Sequence, residues 1–174
     1  LEFRRVIFRS NNEENVSDAL TNLISKIGEN LTIRRCEYTN VDNGFIGTYV
    51  HNVEKDNMGK IGVLLSVKTD IDFSLIKDFL KKMCMHIAAT NPIAISSSNI
   101  DEYILKKEKE LQLEEIKKSG KDQAIKKKMF TGKMNKYFNE VVLLDQNFVM
   151  DDNIKISQFI EKNSKELSAI IKDH

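Results

Sequence analysis

The chain has 174 residues, of which 30 % are charged, and its 27 Lys and Arg residues nearly balance its 26 Asp and Glu residues. This length suffices to bury a core, either as one domain or as a domain with an appendage. The balanced charge argues against broad nucleic-acid binding, which needs clustered cations to neutralise phosphates.

The first predicted elements are helices. The opening segment LEFRRVIF has an amphipathic helical pattern and no initial Met, so we expect the sequence to begin inside an element. Residues 14–27 also place apolar side chains at helical spacing. Ser17 or Asn15 is expected to cap this second helix. Gly28 follows it at the position where glycine relieves the left-handed strain of a C-cap.

Three strands are predicted next, at residues 31–39, 44–52 and 60–68. The connecting segments 42–44 and 56–59 carry Asp, Asn and Gly, which tolerate positive φ at low cost. Consecutive short strands joined by such turns favour an antiparallel meander. The sequence therefore predicts a small antiparallel three-stranded sheet.

A helix is predicted over residues 75–89, with Pro92 at or just beyond its end because the residue before proline is pushed out of the α region. A small sheet needs such a helix on its apolar face. The predicted fold class is therefore α+β, with an antiparallel sheet packed against helices.

Residues 99–138 are mostly charged or polar, with few apolar positions. Ser98 or Asn99 is expected to cap a helix that runs to about Lys118, and a second helix is expected over 122–138. Their narrow apolar seam suits a single helix partner, which predicts an antiparallel helical hairpin projecting from the core. Two helices laid flat on a core would need wider apolar stripes. The seam consists of Ile100, Ile104, Leu111, Ile116, Ala124, Ile125, Met129 and Met134.

The last segments are predicted to rejoin the core. Val141–Leu144 is a short hydrophobic run, and a short helix is expected over 153–162. Residues 167–171 are expected to start a final strand that the end of the sequence interrupts.

Nothing in the residue pattern indicates catalysis. The three histidines, His51, His86 and His174, lack Cys or carboxylates at metal-ligand spacing, and His86 is expected to be a packed or rim residue. Phosphate-binding glycine loops and nucleophile motifs are absent from the sequence. We therefore predict no enzyme activity, no cofactor and no metal.

The cellular setting is predicted from the cysteines and the hydropathy pattern. Cys36 and Cys84 form neither a disulfide framework nor a zinc motif, so reduced thiols in a cytoplasmic protein are expected. No apolar run approaches the roughly 20 residues that cross a bilayer, and no secretory signal is visible. We predict no membrane contact.

Five segments together resemble the elongation factor Ts family of bacterial translation, in the family's own order. They are KIGENLTIRR (26–35), GTYVHN (47–52), KIGVLLSV (60–67), MHIAATNP (85–92) and the stretch 132–160. The co-linear resemblance covers nearly the whole chain and is specific, whereas any one segment alone would be weak.

The resemblance implies a guanine-nucleotide exchange factor that binds the GTPase elongation factor Tu and promotes GDP release without contacting nucleic acid directly. Residues 1–30 would be a helical remnant of the first core half and a connector. Residues 31–98 and 139–174 would form the second α+β core half, which in the family can also pair with a second copy. Residues 99–138 would form the family's coiled coil.

His51 carries the most specific expectation, because Tyr49-Val50-His51 resembles the family's Tyr-x-His at a strand end, where the histidine presses on the GTPase. The alternative is a histidine that only closes a turn. The segment 69–73 is not assigned the family's Thr-Asp-Phe-Val role, because its order along the chain places it in the second half. The residues expected to contact the partner are Tyr49, His51, Phe148, Val149, Met150 and Phe159.

Two other functions remain open from the residues alone. The hairpin could mediate self-association, or it could bind nucleic acid through its lysines. A nucleic-acid surface would need a one-sided cationic face with aromatic residues for stacking. The carboxylates among the hairpin lysines oppose that arrangement: Glu108, Glu110, Glu114 and Glu115.

Overall fold

The structure is a computed structural model that describes residues 15–55 and 58–172, with side chains described through residue 166. The predicted opening helix LEFRRVIF lies outside the described residues. The chain divides into two compact units, residues 1–38 and residues 39–174.

The first unit contains one described helix, α1, at Val16–Ile27. The side chain of Asn15 accepts a hydrogen bond from the backbone N–H of Asp18, so Asn15 is the N-cap. Gly28 adopts a left-handed conformation with φ of 77°, and its N–H donates to the carbonyl of Ile24. The predicted helix and its C-cap are confirmed.

The strand predicted over residues 31–39 is not present, because these residues have no regular secondary structure. A strand persists only where its backbone groups pair with a neighbour. The paired strands described in the structure all lie beyond residue 43. The α+β class is confirmed, but the sheet that follows has two strands in place of the predicted three.

That sheet is the hairpin of β1 (Gly44–Lys55) and β2 (Met58–Lys68), which pair antiparallel. Helix α2 (Phe73–Thr90) packs on one face of it. Gly47 permits this close approach, because a Cβ there would lie 3.1 Å from the Sγ of Cys84 and 3.2 Å from the Cβ of Leu80.

The alternation of side chains assigns the two faces of the sheet. Since Gly47 faces α2, so do the residues two and four positions further along β1. The residues that alternate with these on β1 point away from α2, and among them Ile46 is exposed. Leu64 of β2, directly opposite Thr48, lies on the same face and is also exposed. The sheet therefore has one packed face and one open, partly apolar face.

Helix α2 begins two residues before and ends one residue after the predicted range of 75–89. Asp72 is the N-cap, and its carboxylate accepts from the backbone N–H of Ser74 at 2.8 Å. Asn91 ends the helix in the left-handed conformation, with φ of 46°, and Pro92 follows immediately.

The predicted helical hairpin is present as α3 (Glu102–Lys117) and α4 (Gln123–Val141). The Nζ of Lys133 lies 2.6 Å from the carboxylate of Glu115, as expected for antiparallel neighbours. The predicted cap of α3 was misplaced. Asp101 caps α3 by accepting from two backbone N–H groups, whereas Ser97–Asn99 forms a separate 3-10 turn.

The predicted seam of the hairpin is only partly correct. Ile116 and Met134 are buried, but Ile104, Leu111 and Ile125 are exposed. The buried and half-buried positions of α3 fall on one helix face and are Leu105, Glu108, Gln112 and Ile116. Only Ile116 among them belongs to the predicted seam. Periodicity alone placed the seam on a neighbouring face.

The two chain segments at the base of the α3–α4 helical hairpin run side by side. The N–H of Ile93 donates to the carbonyl of Val141 at 2.9 Å, and the N–H of Leu143 donates to that of Ala94 at 2.9 Å. Val142 and Leu143 are buried, so the predicted return of the chain to the core is confirmed.

The final elements are β3 (Asn147–Phe148), β4 (Asp151–Lys155) and α5 (Ile156–Lys172). The predicted strand over 167–171 was wrong, because α5 continues through these residues. Helix formers in its sequence and an i,i+4 ion pair between Lys165 and Glu161 favour the helix. The core joins α2, α5 and the segment between them through Met83, Leu143, Phe148, Ile156 and Phe159.

Candidate functional site

A surface groove of about 410 Å³ is lined by the sheet, by α2 and by the turn between β3 and β4. The sheet forms one wall, the C-terminal half of α2 forms the floor, and the turn between β3 and β4 forms the other wall. We call these the sheet wall, the helix floor and the turn wall. The lining residues are Tyr49, His51, Ile61, Met85, Ala88, Ala89, Val149 and Met150.

The sheet wall presents an oriented imidazole. Tyr49 and His51 are two residues apart on β1 and therefore share a face. The Tyr49 hydroxyl lies 3.1 Å from the Nδ1 of His51, within hydrogen-bond distance. Ile61 is directly opposite His51 on β2. The phenol thus restricts the ring of an exposed histidine beside an apolar neighbour.

The turn wall is apolar and exposed. Val149 and Met150 lie between β3 and β4, and 42 % and 48 % of their surfaces are accessible. They face the same groove as Tyr49 and His51. The structure therefore brings together four of the six residues that the sequence predicted to contact a partner.

The other two predicted contact residues lie in the core. Phe148 is 4 % exposed and Phe159 is 8 % exposed. Their rings stack with centroids 4.3 Å apart, and both belong to the core cluster. The sequence around Phe148 is compatible with either a surface contact residue or a core residue. In the structure Phe148 packs against α5 and is part of the core.

A buried polar network stands behind the turn wall. His86 on α2 is 0 % exposed, and its Nε2 lies 3.0 Å from the Oε1 of Gln146. The amide of Gln146 also donates to the carbonyl of Glu140 at 2.7 Å. The backbone N–H of Val149 donates to the Nδ1 of His86 at 3.4 Å. Burial lowers the pKa of His86, and the hydrogen bond to Gln146 opposes this shift only in part.

Sequence reasoning placed His86 as a packed residue but missed its partner. Gln146 is 60 residues away along the chain, and no local pattern joins the two. A glutamine beside a hydrophobic run was the only available signal.

The groove suits binding better than covalent chemistry. Its one imidazole belongs to His51, and its other lining groups are a phenol and apolar side chains. Among the described residues, no group of three or more His, Cys, Asp or Glu side chains is placed to hold a metal ion. Burial raises the pKa of the Cys84 thiol to about 11, which leaves that thiol protonated and unreactive.

No helix within the described residues has the length and apolarity to cross a bilayer.

Comparison with known proteins gives one family. The family described as Elongation factor TS matches residues 4–172. The chain is 39 % identical over 158 residues to "Elongation factor Ts" of Agrobacterium fabrum, covering 91 % of this chain and 51 % of the relative. It is 38 % identical over 160 residues to "Elongation factor Ts" of Clostridium botulinum, covering 92 % of this chain and 51 % of the relative. The chain thus spans about half the length of these curated relatives.

Proposed function

The chain belongs to the elongation factor Ts family, and from that premise we propose that it binds elongation factor Tu and promotes the release of GDP. Because it spans about half of its relatives, the activity of the whole protein is part of this proposal. The observation that carries it is the groove, where an oriented histidine and two exposed apolar residues face one another.

Exchange of this kind needs no bond made or broken by the factor. A ligand shifts an equilibrium only through its different affinities for two states. A factor that binds nucleotide-free elongation factor Tu more tightly than the GDP form weakens GDP binding by the same ratio. The chain would therefore act as a binding protein and not as an enzyme, with no cofactor or metal of its own.

The groove has the composition that such contact requires. Interfaces depend on a few apolar or aromatic anchors surrounded by polar groups. We assign direct contact to Tyr49, His51, Val149 and Met150. In this proposal His51 presses on the GTPase, while Phe148 and Phe159 act indirectly by supporting the turn wall from the core.

Family membership supports the remaining assignments. We assign residues 1–30 to the end of the first core half with its connector, residues 31–98 and 139–174 to the second core half, and residues 99–138 to the coiled coil. We place the protein in the cytoplasm, where translation occurs.

The decisive experiment measures release of a fluorescent GDP analogue from elongation factor Tu, with and without this chain. Faster release and co-elution of the two proteins on a sizing column are expected. A Leu113→Ala variant should accelerate release as much as the unaltered chain does, because Leu113 is exposed on the helical hairpin and distant in sequence from the groove residues. If the chain neither accelerates release nor forms a complex, the proposal fails.

A second contact, between two copies of the chain, is favoured by the open face of the sheet. Ile46 and Leu64 are exposed there on neighbouring strands. Sedimentation at several concentrations would detect a dimer, and Leu64→Glu should abolish it by placing a charge against an apolar surface. Dimerisation unaffected by Leu64→Glu but lost with the hairpin would favour the alternative of hairpin-mediated association.

A further inference from the structure

We propose that His86 is a positioning residue, which holds the backbone of Val149 through one ring nitrogen while Gln146 fixes the ring through the other. The turn wall of the groove would then depend on a residue that no partner touches. The consequence for binding rests on the proposed function, whereas the positioning itself does not.

The hydrogen-bond partners define the tautomer of His86. The carbonyl of Glu140 can only accept, so the Gln146 atom 2.7 Å from it must be the amide nitrogen. The Gln146 atom 3.0 Å from the Nε2 of His86 is therefore the amide oxygen, which also only accepts. Nε2 must carry the hydrogen, and in the neutral ring Nδ1 is left as the acceptor.

That acceptor faces the turn wall. The N–H of Val149 points to Nδ1 at 3.4 Å, a long hydrogen bond but the one the tautomer permits. With a hydrogen on Nδ1, two N–H groups would face each other and the contact would become repulsive. The hydroxyl of Thr90, one turn along α2, lies 3.0 Å from the same Gln146 oxygen and 2.9 Å from the carbonyl of His86, so its single hydrogen is shared between these two acceptors.

The network links three separate elements. His86 and Thr90 lie on α2, Gln146 follows the base of the hairpin, and Val149 lies in the turn wall. His86 itself is 0 % exposed, so its influence on a partner must pass through the residues it holds. The ring of Phe148 packs beside that of His86, with the two centroids 6.0 Å apart.

The first test needs no partner protein. Nitrogen-15 NMR of the His86 ring in the intact chain should show a protonated Nε2 and an unprotonated Nδ1 at neutral pH. The Val149 amide should exchange with solvent more slowly than that of its exposed neighbour Met150. A protonated Nδ1, or a Val149 amide that exchanges as fast as that of Met150, would overturn the proposal.

The second test uses a matched pair of variants. In His86→Asn the side-chain oxygen takes the place of Nδ1 and can still accept from Val149, whereas in His86→Gln the amide takes the place of Nε2 and the acceptor is lost. We expect binding to elongation factor Tu to fall about 5-fold more in His86→Gln than in His86→Asn, the effect of one neutral hydrogen bond. The Val149 amide should lose protection only in His86→Gln.

The two proposals fail in different ways. Equal binding and equal Val149 protection in two folded variants would overturn the positioning role. Absence of binding by the unaltered chain would overturn the exchange-factor proposal and leave the NMR readouts to decide the positioning role. If either variant fails to fold, the ring tautomer and amide exchange of the unaltered chain decide the question.

Discussion

Replacing Phe148 by Ala tests whether this residue belongs to the core or to the surface. The ring is 4 % exposed and stacks 4.3 Å from that of Phe159, so truncation leaves a cavity between α2 and α5. Buried Phe→Ala changes cost about 3–5 kcal/mol of unfolding free energy. This would be a large share of the roughly 5–15 kcal/mol that holds a typical domain together.

Urea denaturation followed by far-ultraviolet circular dichroism measures the effect. With a denaturant slope of about 2 kcal/mol per M, a loss of about 4 kcal/mol lowers the midpoint by about 2 M. Met150→Ala is the matched control, two residues away and 48 % exposed, and should change stability by less than about 0.5 kcal/mol.

The pair also separates stability from binding. Met150→Ala should weaken binding to elongation factor Tu while leaving the urea midpoint unchanged, and Phe148→Ala should lower the midpoint. A Phe148→Ala midpoint within about 0.3 M of the unaltered chain would refute the assignment of Phe148 to the core. A destabilised Met150→Ala would show that the turn wall is not an exposed surface.

Four further outcomes are expected. His51→Ala should slow nucleotide exchange more than it weakens binding, and equal losses of rate and affinity would contradict its role. Burial lowers the pKa of His86 below 6.5, so on acidification the unfolded chain binds a proton at this residue before the folded chain does. The free energy of unfolding should therefore fall as the pH drops below about 6.5, until the pH has passed the lowered pKa of the folded state. The same titration of His86→Asn should lack this component, and an identical slope would contradict it. A thiol reagent should label exposed Cys36 in the native chain and buried Cys84 only after unfolding, as mass spectrometry would show. Replacing residues 99–138 by a short Gly-Ser linker should leave the rest of the chain folded, and loss of the cooperative urea transition would refute this.

Local chemistry made part of the fold predictable. Helix α1 is specified by its apolar spacing and by Gly28, and the end of α2 is specified by Pro92. The strand pair β1 and β2 follows from apolar runs separated by turn residues. In each case the decisive interactions lie within a few residues of one another.

The errors occurred where distant packing decides. Residues 31–39 have a strand-like pattern but no strand partner in the described structure. Residues 167–171 are apolar enough for a strand, yet they continue the helix that starts at Ile156. Four groove residues, Tyr49, His51, Val149 and Met150, were among those predicted to contact a partner. The contact of His86 with Gln146, in contrast, bridges 60 residues and has no local signature.

The paired segments at the base of the hairpin have an evolutionary consequence. Ile93–Ile95 and Val141–Leu144 are joined by three backbone hydrogen bonds, so the sites where the chain leaves and rejoins the core are adjacent. An excursion closed in this way can gain or lose helical turns without changing its points of attachment. We therefore expect homologues to differ in the length of this hairpin, and a foreign domain grafted between Ser96 and Asn139 should be tolerated.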